Sequence, residues 1–218
     1  GNAINSFSRL MGVSDQIKVF GVDYSQYAKF EVDLRQYFNF NRKRFLVFRF
    51  NVGAGFAIGN SSVLPYVKQF FLGGANSMRA WRARTLGPGS YFNQDILDPD
   101  KIIDQTGDFK LEANAEYRFN FSNVVKGGFF VDVGNIWNLK KDDLRPGAEL
   151  KSNLTDIKNE LAVGAGFGLR LDFSFFVFRT DLGVKIYDPI LLDYIEQSDD
   201  NLENYNFMNI NFAIGYPF

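Results

Sequence analysis

The chain has 218 residues, 46% hydrophobic and 17% aromatic, with a net charge of −1 and neither cysteine nor histidine. Disulfides, thiolate chemistry and imidazole catalysis are therefore excluded, the common zinc sites lose their usual ligands, and no global field favours nucleic acid. No apolar run approaches the roughly 18 residues that a membrane-crossing helix needs, because the apolar residues are dispersed by alternation.

Residues 1–26 read as an uncertain loop or partial strand, with one further strand available at 4–13 or 16–24. From 27 to 38 the alternation is clean. Ala28, Phe30, Val32 and Leu34 share one face while Lys29, Glu31, Asp33 and Arg35 share the other, as in a strand with one greasy and one charged side. Residues 46–58 repeat it, setting Leu46, Phe48, Phe50, Val52, Ala54, Phe56 and Ile58 against Arg49, Asn51, Gly53, Gly55 and Ala57. A long polar loop at 59–108 follows, then Leu111, Ala113, Ala115, Tyr117 and Phe119. The run 129–137 is less regular but still strand-like. Strands at 161–169, 176–184 and 208–218 complete the series, the last carrying Met208, Ile210, Phe212, Ile214, Tyr216 and Phe218 on its apolar face.

These apolar faces carry no charge over about 9–11 residues, the length that crosses a bilayer at a tilt, and aromatics recur at strand ends as interfacial girdles require. Connections alternate too: short turns near 39–43, 122–126 and 172–173, long loops at 59–108, 139–159 and 188–205, with an acidic, solvated stretch at 196–203. Short periplasmic turns opposite long extracellular loops characterise outer-membrane barrels. The expected fold is all-β, an antiparallel transmembrane β-barrel of about seven or eight strands. A soluble sandwich, or a soluble barrel holding a hydrophobic ligand, is the competing reading.

The inward faces are unusually bare. Gly53, Gly55 and Ala57, and then Ala162, Gly164, Gly166 and Gly168, either relieve curvature or admit another piece of backbone. With a hairpin centred near Val124, Glu116 and Asp132 would lie directly opposite on the lumen face, where like charges repel. A guanidinium between them reverses the sign. Arg79, on the long loop, is the candidate; strand arginines Arg118, Arg170 or Arg179 are the alternative partners.

At these residues the chain resembles a known family. Gly73-Gly74-Ala75-Asn76-Ser77-Met78-Arg79-Ala80-Trp81, followed by Leu86-Gly87-Pro88, is similar to the sixth extracellular loop of the BamA/TamA superfamily of outer-membrane assembly and translocation barrels, also called bacterial surface antigens. Ala115-Glu116-Tyr117-Arg118-Phe119 and Phe130-Val131-Asp132-Val133-Gly134-Asn135-Ile136-Trp137 resemble the strand motifs that follow it. Ala80 departs from the family's pattern, which has glycine there. The terminal Tyr216-Pro217-Phe218 resembles the aromatic signal read during barrel insertion.

The resemblance implies a C-terminal half-barrel over residues 27–218, part of a sixteen-stranded barrel, with loop 59–108 tucked into the lumen and Arg79 bridging Glu116 and Asp132. It implies a bacterial outer-membrane location and non-enzymatic insertion or translocation of client proteins through a weak seam. Lipids, unfolded or exported clients and accessory assembly subunits are the implied partners, with no nucleic acid, metal or cofactor. A dedicated secretion pore of the same superfamily, or a small structural barrel, is the alternative. No signal peptide, first half-barrel or periplasmic repeat precedes these residues, so the chain is expected to be a fragment.

Overall fold

A computed structural model describes residues 18–19, 22–23, 25–59, 61–93, 95, 101, 104–191, 195 and 205–218. The candidate strand at 4–13 and the acidic stretch at 196–203 lie outside them. Of the other candidate, 16–24, the described part is a two-residue ladder between β1 (Lys18–Val19) and β2 (Val22–Asp23).

Seven strands form one antiparallel sheet in sequence order: β3 (Tyr27–Asn41), β4 (Arg44–Ala57), β5 (Phe109–Asn120), β6 (Val125–Trp137), β7 (Ala162–Asp172), β8 (Val177–Tyr187) and β9 (Met208–Ile214). Each pairs with the next, so every connection is a hairpin. An eleven-residue strand such as β7 spans about 37 Å at roughly 3.4 Å per residue, or about 26 Å when tilted by about 45°, which matches a bilayer core. Phe30, Phe48, Phe129, Leu182 and Phe212 project from the outer face and stay exposed.

The three short turns are built by one device. Asn41 Oδ1 accepts from the Lys43 amide at 2.9 Å, Ser122 Oγ from Val124 at 3.2 Å, and Asp172 Oδ1 from Ser174 at 3.0 Å. A short polar side chain that bonds the backbone two residues on mimics a turn and stops the strand. The Ser122 turn also sets a register. Phe109 pairs with Trp137 and Asn120 with Lys126, which centres the hairpin on Asn123. Glu116 therefore faces Phe130 and Asp132 faces Asn114. The expected direct opposition of Glu116 and Asp132 is corrected to a diagonal, two residues apart on the same face.

Strand β9 also differs from expectation. It stops at Ile214, and Gly215 takes φ of 89° and donates its amide to the Val177 carbonyl. The chain turns inward there. Phe218, expected on the lipid face, is buried on the lumen side.

Seven strands do not enclose their own core. The buried apolar cluster consists of Phe70, Leu72, Met78, Ala80, Trp81 and Leu86 from the long loop, with only Ile136 and Ala162 from the wall. The loop is what the concave face packs against. A six-residue helix, α1 (Leu154–Asn159), capped by Asn153, follows β6 in the second long connection.

Candidate functional site: a loop anchored in the lumen

Between β4 and β5 the chain returns across the concave face. Phe70 bridges Gly107 through paired backbone bonds of 2.8 and 2.9 Å, closing the base of the loop. Its tip is a compact turn: Gly74 donates to the Trp81 carbonyl at 2.8 Å and Trp81 to Met78 at 3.1 Å. The left-handed backbone that this turn needs falls on Gly73 and Gly74, with φ of 98° and 87°, positions that suit glycine. Ala80 is not among the residues with positive φ, so the alanine sits there without strain.

Arg79 is fully buried and spends its donors on two acids. Nη1 bonds Glu116 Oε2 at 2.5 Å, Nη2 bonds Asp132 Oδ1 at 2.8 Å, and Nε and the main-chain amide both reach Asp132 Oδ2 at 3.0 Å. The diagonal register makes this possible. Diagonal side chains stand about 7–8 Å apart, which leaves room for a planar guanidinium between them. The ring of Phe130 lies 3.6 Å beneath the guanidinium, a cation–π contact in a dry setting.

Sequence-based partners for the acids prove to be shared rather than exclusive. Glu116 Oε1 also accepts from Arg118 Nε at 2.7 Å and Arg170 Nη2 at 2.8 Å, so both a loop arginine and strand arginines meet it. Asp132 has a neutral helper, Asn114 Nδ2 at 3.0 Å. The Arg79 carbonyl is held from the last strand by Asn209 and Asn211, at 3.1 and 2.8 Å. Arg179 Nη2 donates to the Ala75 carbonyl and Asn76 Oδ1. Arg49 of β4 donates to the Asn76 carbonyl at 3.2 Å, so the loop tip is hydrogen-bonded to β4, β5, β6, β8 and β9.

The glycines of the wall make room for it. A Cβ on Gly164 would come 2.8 Å from the Ala80 methyl, and one on Gly183 would come 2.7 Å from the Arg79–Ala80 backbone. On β4, a Cβ at Gly53 would press into the Phe70 ring at 2.5 Å. Close approach of the loop therefore accounts for both: Gly183 meets its backbone, and Gly164 meets the Ala80 and Trp81 side chains. Gly134 differs: its Cβ would strike the Leu111 carbonyl at 2.5 Å, so it serves tight pairing with β5.

Met78 and Trp81 are buried on either side of the arginine. Trp81 Nε1 donates to Asp188 Oδ2 at 3.0 Å, and Tyr205 donates its hydroxyl to the same oxygen at 2.5 Å. Both ends of the last long connection are thereby tied to the loop tip. At the barrel's other end, Tyr216 accepts from Lys126 Nζ at 3.2 Å and Phe218 accepts from Arg118 Nη2 at 3.1 Å. The Phe218 ring lies 5.5 Å from the Arg79 guanidinium.

Sequence reasoning did not single out Asn114, Gly183, Asn209, Asn211 or Glu160. The first four were marked by inward parity on strands, the signal that could have found them. Glu160 carried no such mark because it follows α1. It accepts from Trp137 Nε1 at 2.6 Å and Ser90 Oγ at 3.1 Å, while Asn135 Nδ2 binds both the Gly89 and Glu160 carbonyls. This is a second anchor for the segment after Leu86-Gly87-Pro88. Replacing Glu160 with alanine leaves the buried Trp137 Nε1 donor unsatisfied, at about 1–3 kcal/mol, while the half-buried Ser90 hydroxyl falls back on the Gly147 carbonyl. The Glu160→Ala protein is expected to unfold at lower urea and to become protease-sensitive near Ser90, with the loop tip at Arg79 still protected.

Residues 8–218 match the Omp85 superfamily domain. Among solved structures the chain is similar to BamA from Haemophilus ducreyi lacking POTRA domains 1-3, with a TM-score of 0.58 and 18% identity over 87% of this chain and 34% of that one. It is also similar to CdiB from Acinetobacter baumannii, with a TM-score of 0.49 and 16% identity over 87% of this chain and 27% of that one. The chain spans about a third of the length of that BamA structure. With nearly every residue inside the family match, and a seven-stranded antiparallel sheet packed against its own loop, this chain belongs to the Omp85 superfamily.

Proposed function

We propose that this chain is the C-terminal part of a bacterial outer-membrane barrel that inserts or translocates client proteins without covalent chemistry. Loop 59–108 is its internal strut. The observation that carries this reading is the fully buried Arg79 held by Glu116 and Asp132. Such a cluster invests charge desolvation in one loop position, and it places no nucleophile or free acid where a substrate could react. The strut ties together five strands of the wall.

The sheet's two ends suit a seam. Strand β9 is paired over only seven positions, whereas β3 and β4 pair over fourteen. Among the described residues no strand pairs with the outer edge of β9, and such an edge is a template on which an incoming strand can be added. In the barrel, that edge would meet strands supplied from elsewhere, and a client hairpin would enter between them. Outer-membrane lipids, unfolded client strands and accessory subunits are the corresponding partners.

Depleting the parent protein in its own cell and quantifying the outer-membrane proteome tests the reading. A general fall in barrel proteins is the expected result. Loss of one exported protein would assign a dedicated secretion pore instead, and an unchanged proteome would overturn both.

A further inference from the structure

Strand β9 is lightly held. From Met208 to Ile214 it contains no charged residue, so no ion pair ties it to the wall. Among the described residues its one ladder partner is β8, over seven positions. Its inward side chains are Asn209, Asn211 and Ala213, and the two polar ones converge on a single acceptor. Asn211 Nδ2 donates to the Arg79 carbonyl at 2.8 Å and Asn209 Nδ2 at 3.1 Å, while Asn209 Nδ2 also reaches Asn211 Oδ1 at 3.2 Å. A carbonyl oxygen can accept two hydrogen bonds, and β9 supplies two.

That acceptor is firmly placed. The main-chain amide of Arg79 is fixed to Asp132 of β6, and its guanidinium to Asp132 and to Glu116 of β5. One loop residue therefore joins β9 to strands three and four places away in the sheet. Gly183 makes the crossing possible. It pairs with Asn209, and its bare face lets the Arg79 carbonyl pass β8, since a Cβ there would lie 2.7 Å from Arg79 C and O.

We infer that Asn209 and Asn211 are positioning residues for the seam: they make the loop tip a catch on β9, so the edge on which a client strand is added is freed when the strut withdraws. The inference rests on the reading of β9 as the seam strand given above. Such coupling runs both ways. A loop tip displaced from Gly183 takes the acceptor away from β9. A β9 drawn off by a new partner strand strips the Arg79 carbonyl of two donors, and a buried acceptor left unsatisfied favours withdrawal of the loop.

Native-state hydrogen exchange of the full-length protein in maltoside micelles, read by mass spectrometry, tests the catch. Asn209→Leu and Asn211→Leu should each speed exchange of the β9 amides roughly fivefold, the yield of one neutral hydrogen bond, with β5 and β6 unchanged. Gly183→Val, which displaces the carbonyl, should speed it as well. Adding Asn209→Leu to Gly183→Val should then change nothing further, because the bond is already gone. Phe212→Ala supplies the contrast. Phe212 is exposed on the outer face and stacks on Phe178, so its effect should multiply with that of Gly183→Val. Unaltered β9 exchange in both asparagine variants, or full multiplication of Asn209→Leu with Gly183→Val, would sink the catch. No client enters this measurement. An unchanged proteome on depletion removes the proposed use of the seam, whereas the exchange rates alone decide whether the strut holds β9.

Discussion

Replacing Arg79 with alanine is expected to cost about 3–5 kcal/mol of folding stability, the usual penalty for breaking a buried ion pair. The two acids will not share that penalty equally. Glu116 keeps Arg118 and Arg170 within 2.8 Å, whereas Asp132 keeps only two neutral donors, the Asn114 side-chain amide and the main-chain amide of residue 79. Asp132 is the charge left stranded. Arg79→Ala combined with Asp132→Asn should therefore recover a sizeable part of the loss. Arg79→Ala combined with Glu116→Gln should not, because it strips a carboxylate from two further arginines, the fully buried Arg170 and the half-buried Arg118. Urea unfolding of the barrel in micelles, read by tryptophan fluorescence, gives all four stabilities. Equal rescue by the two double variants would refute this division of the charge.

Lysine is not expected to substitute for Arg79. Asp132 receives Nε, Nη2 and the main-chain amide in one arrangement, while Nη1 turns to Glu116. An ammonium group is a point charge without that fork. In the parent protein, under the proposed function, Arg79→Ala should reduce barrel assembly together with loop protection. Normal activity with the loop released would remove the strut from the mechanism.

Gly183→Val should expel the loop tip from the lumen. Its Cβ would come 2.7 Å from Ala80 N and from Arg79 C and O, and those are backbone atoms that cannot swing aside. Moving them breaks the two asparagine bonds to the Arg79 carbonyl and the Arg79 amide bond to Asp132. Overpacking alone costs about 1–3 kcal/mol, and loss of the strut adds to it. Limited trypsin digestion is the direct measurement. Cleavage after Arg82 or Arg84 should accelerate in Gly183→Val and stay slow in Leu182→Ala, where the adjacent side chain faces outward and is exposed. A valine variant with an intact, protected loop would mean that β8 can yield locally, contrary to the packing described above.

Alternation along the strands made the membrane-facing sheet readable from residues alone. Charges and glycines of one parity on β3, β4 and β7 pointed either to curvature of the sheet or to an interior that holds something. The loop motif and its two acids were likewise visible. The register was not. Ser122 turns the chain one residue earlier than a hairpin centred on Val124 would require, and a turn shift of one residue moves cross-strand partners by two. The lumen face is preserved under that shift, which is why the acids stayed on the right side while losing direct opposition.

What the sequence determined by itself is therefore what depends on period: seven crossing segments, their outer and inner faces, and the chemistry placed on each. The tertiary structure alone decided how charges were shared. Glu116 serves three arginines and Asp132 one, because β5 and β6 are offset diagonally and β7 brings Arg170 alongside. It also decided that Phe218 ends in the lumen, since the turn at Gly215 reverses the direction that alternation had assigned. Periodicity is a local property and survives in the chain. Charge partners depend on distances between strands remote in sequence, and those exist only once the sheet has assembled against its loop.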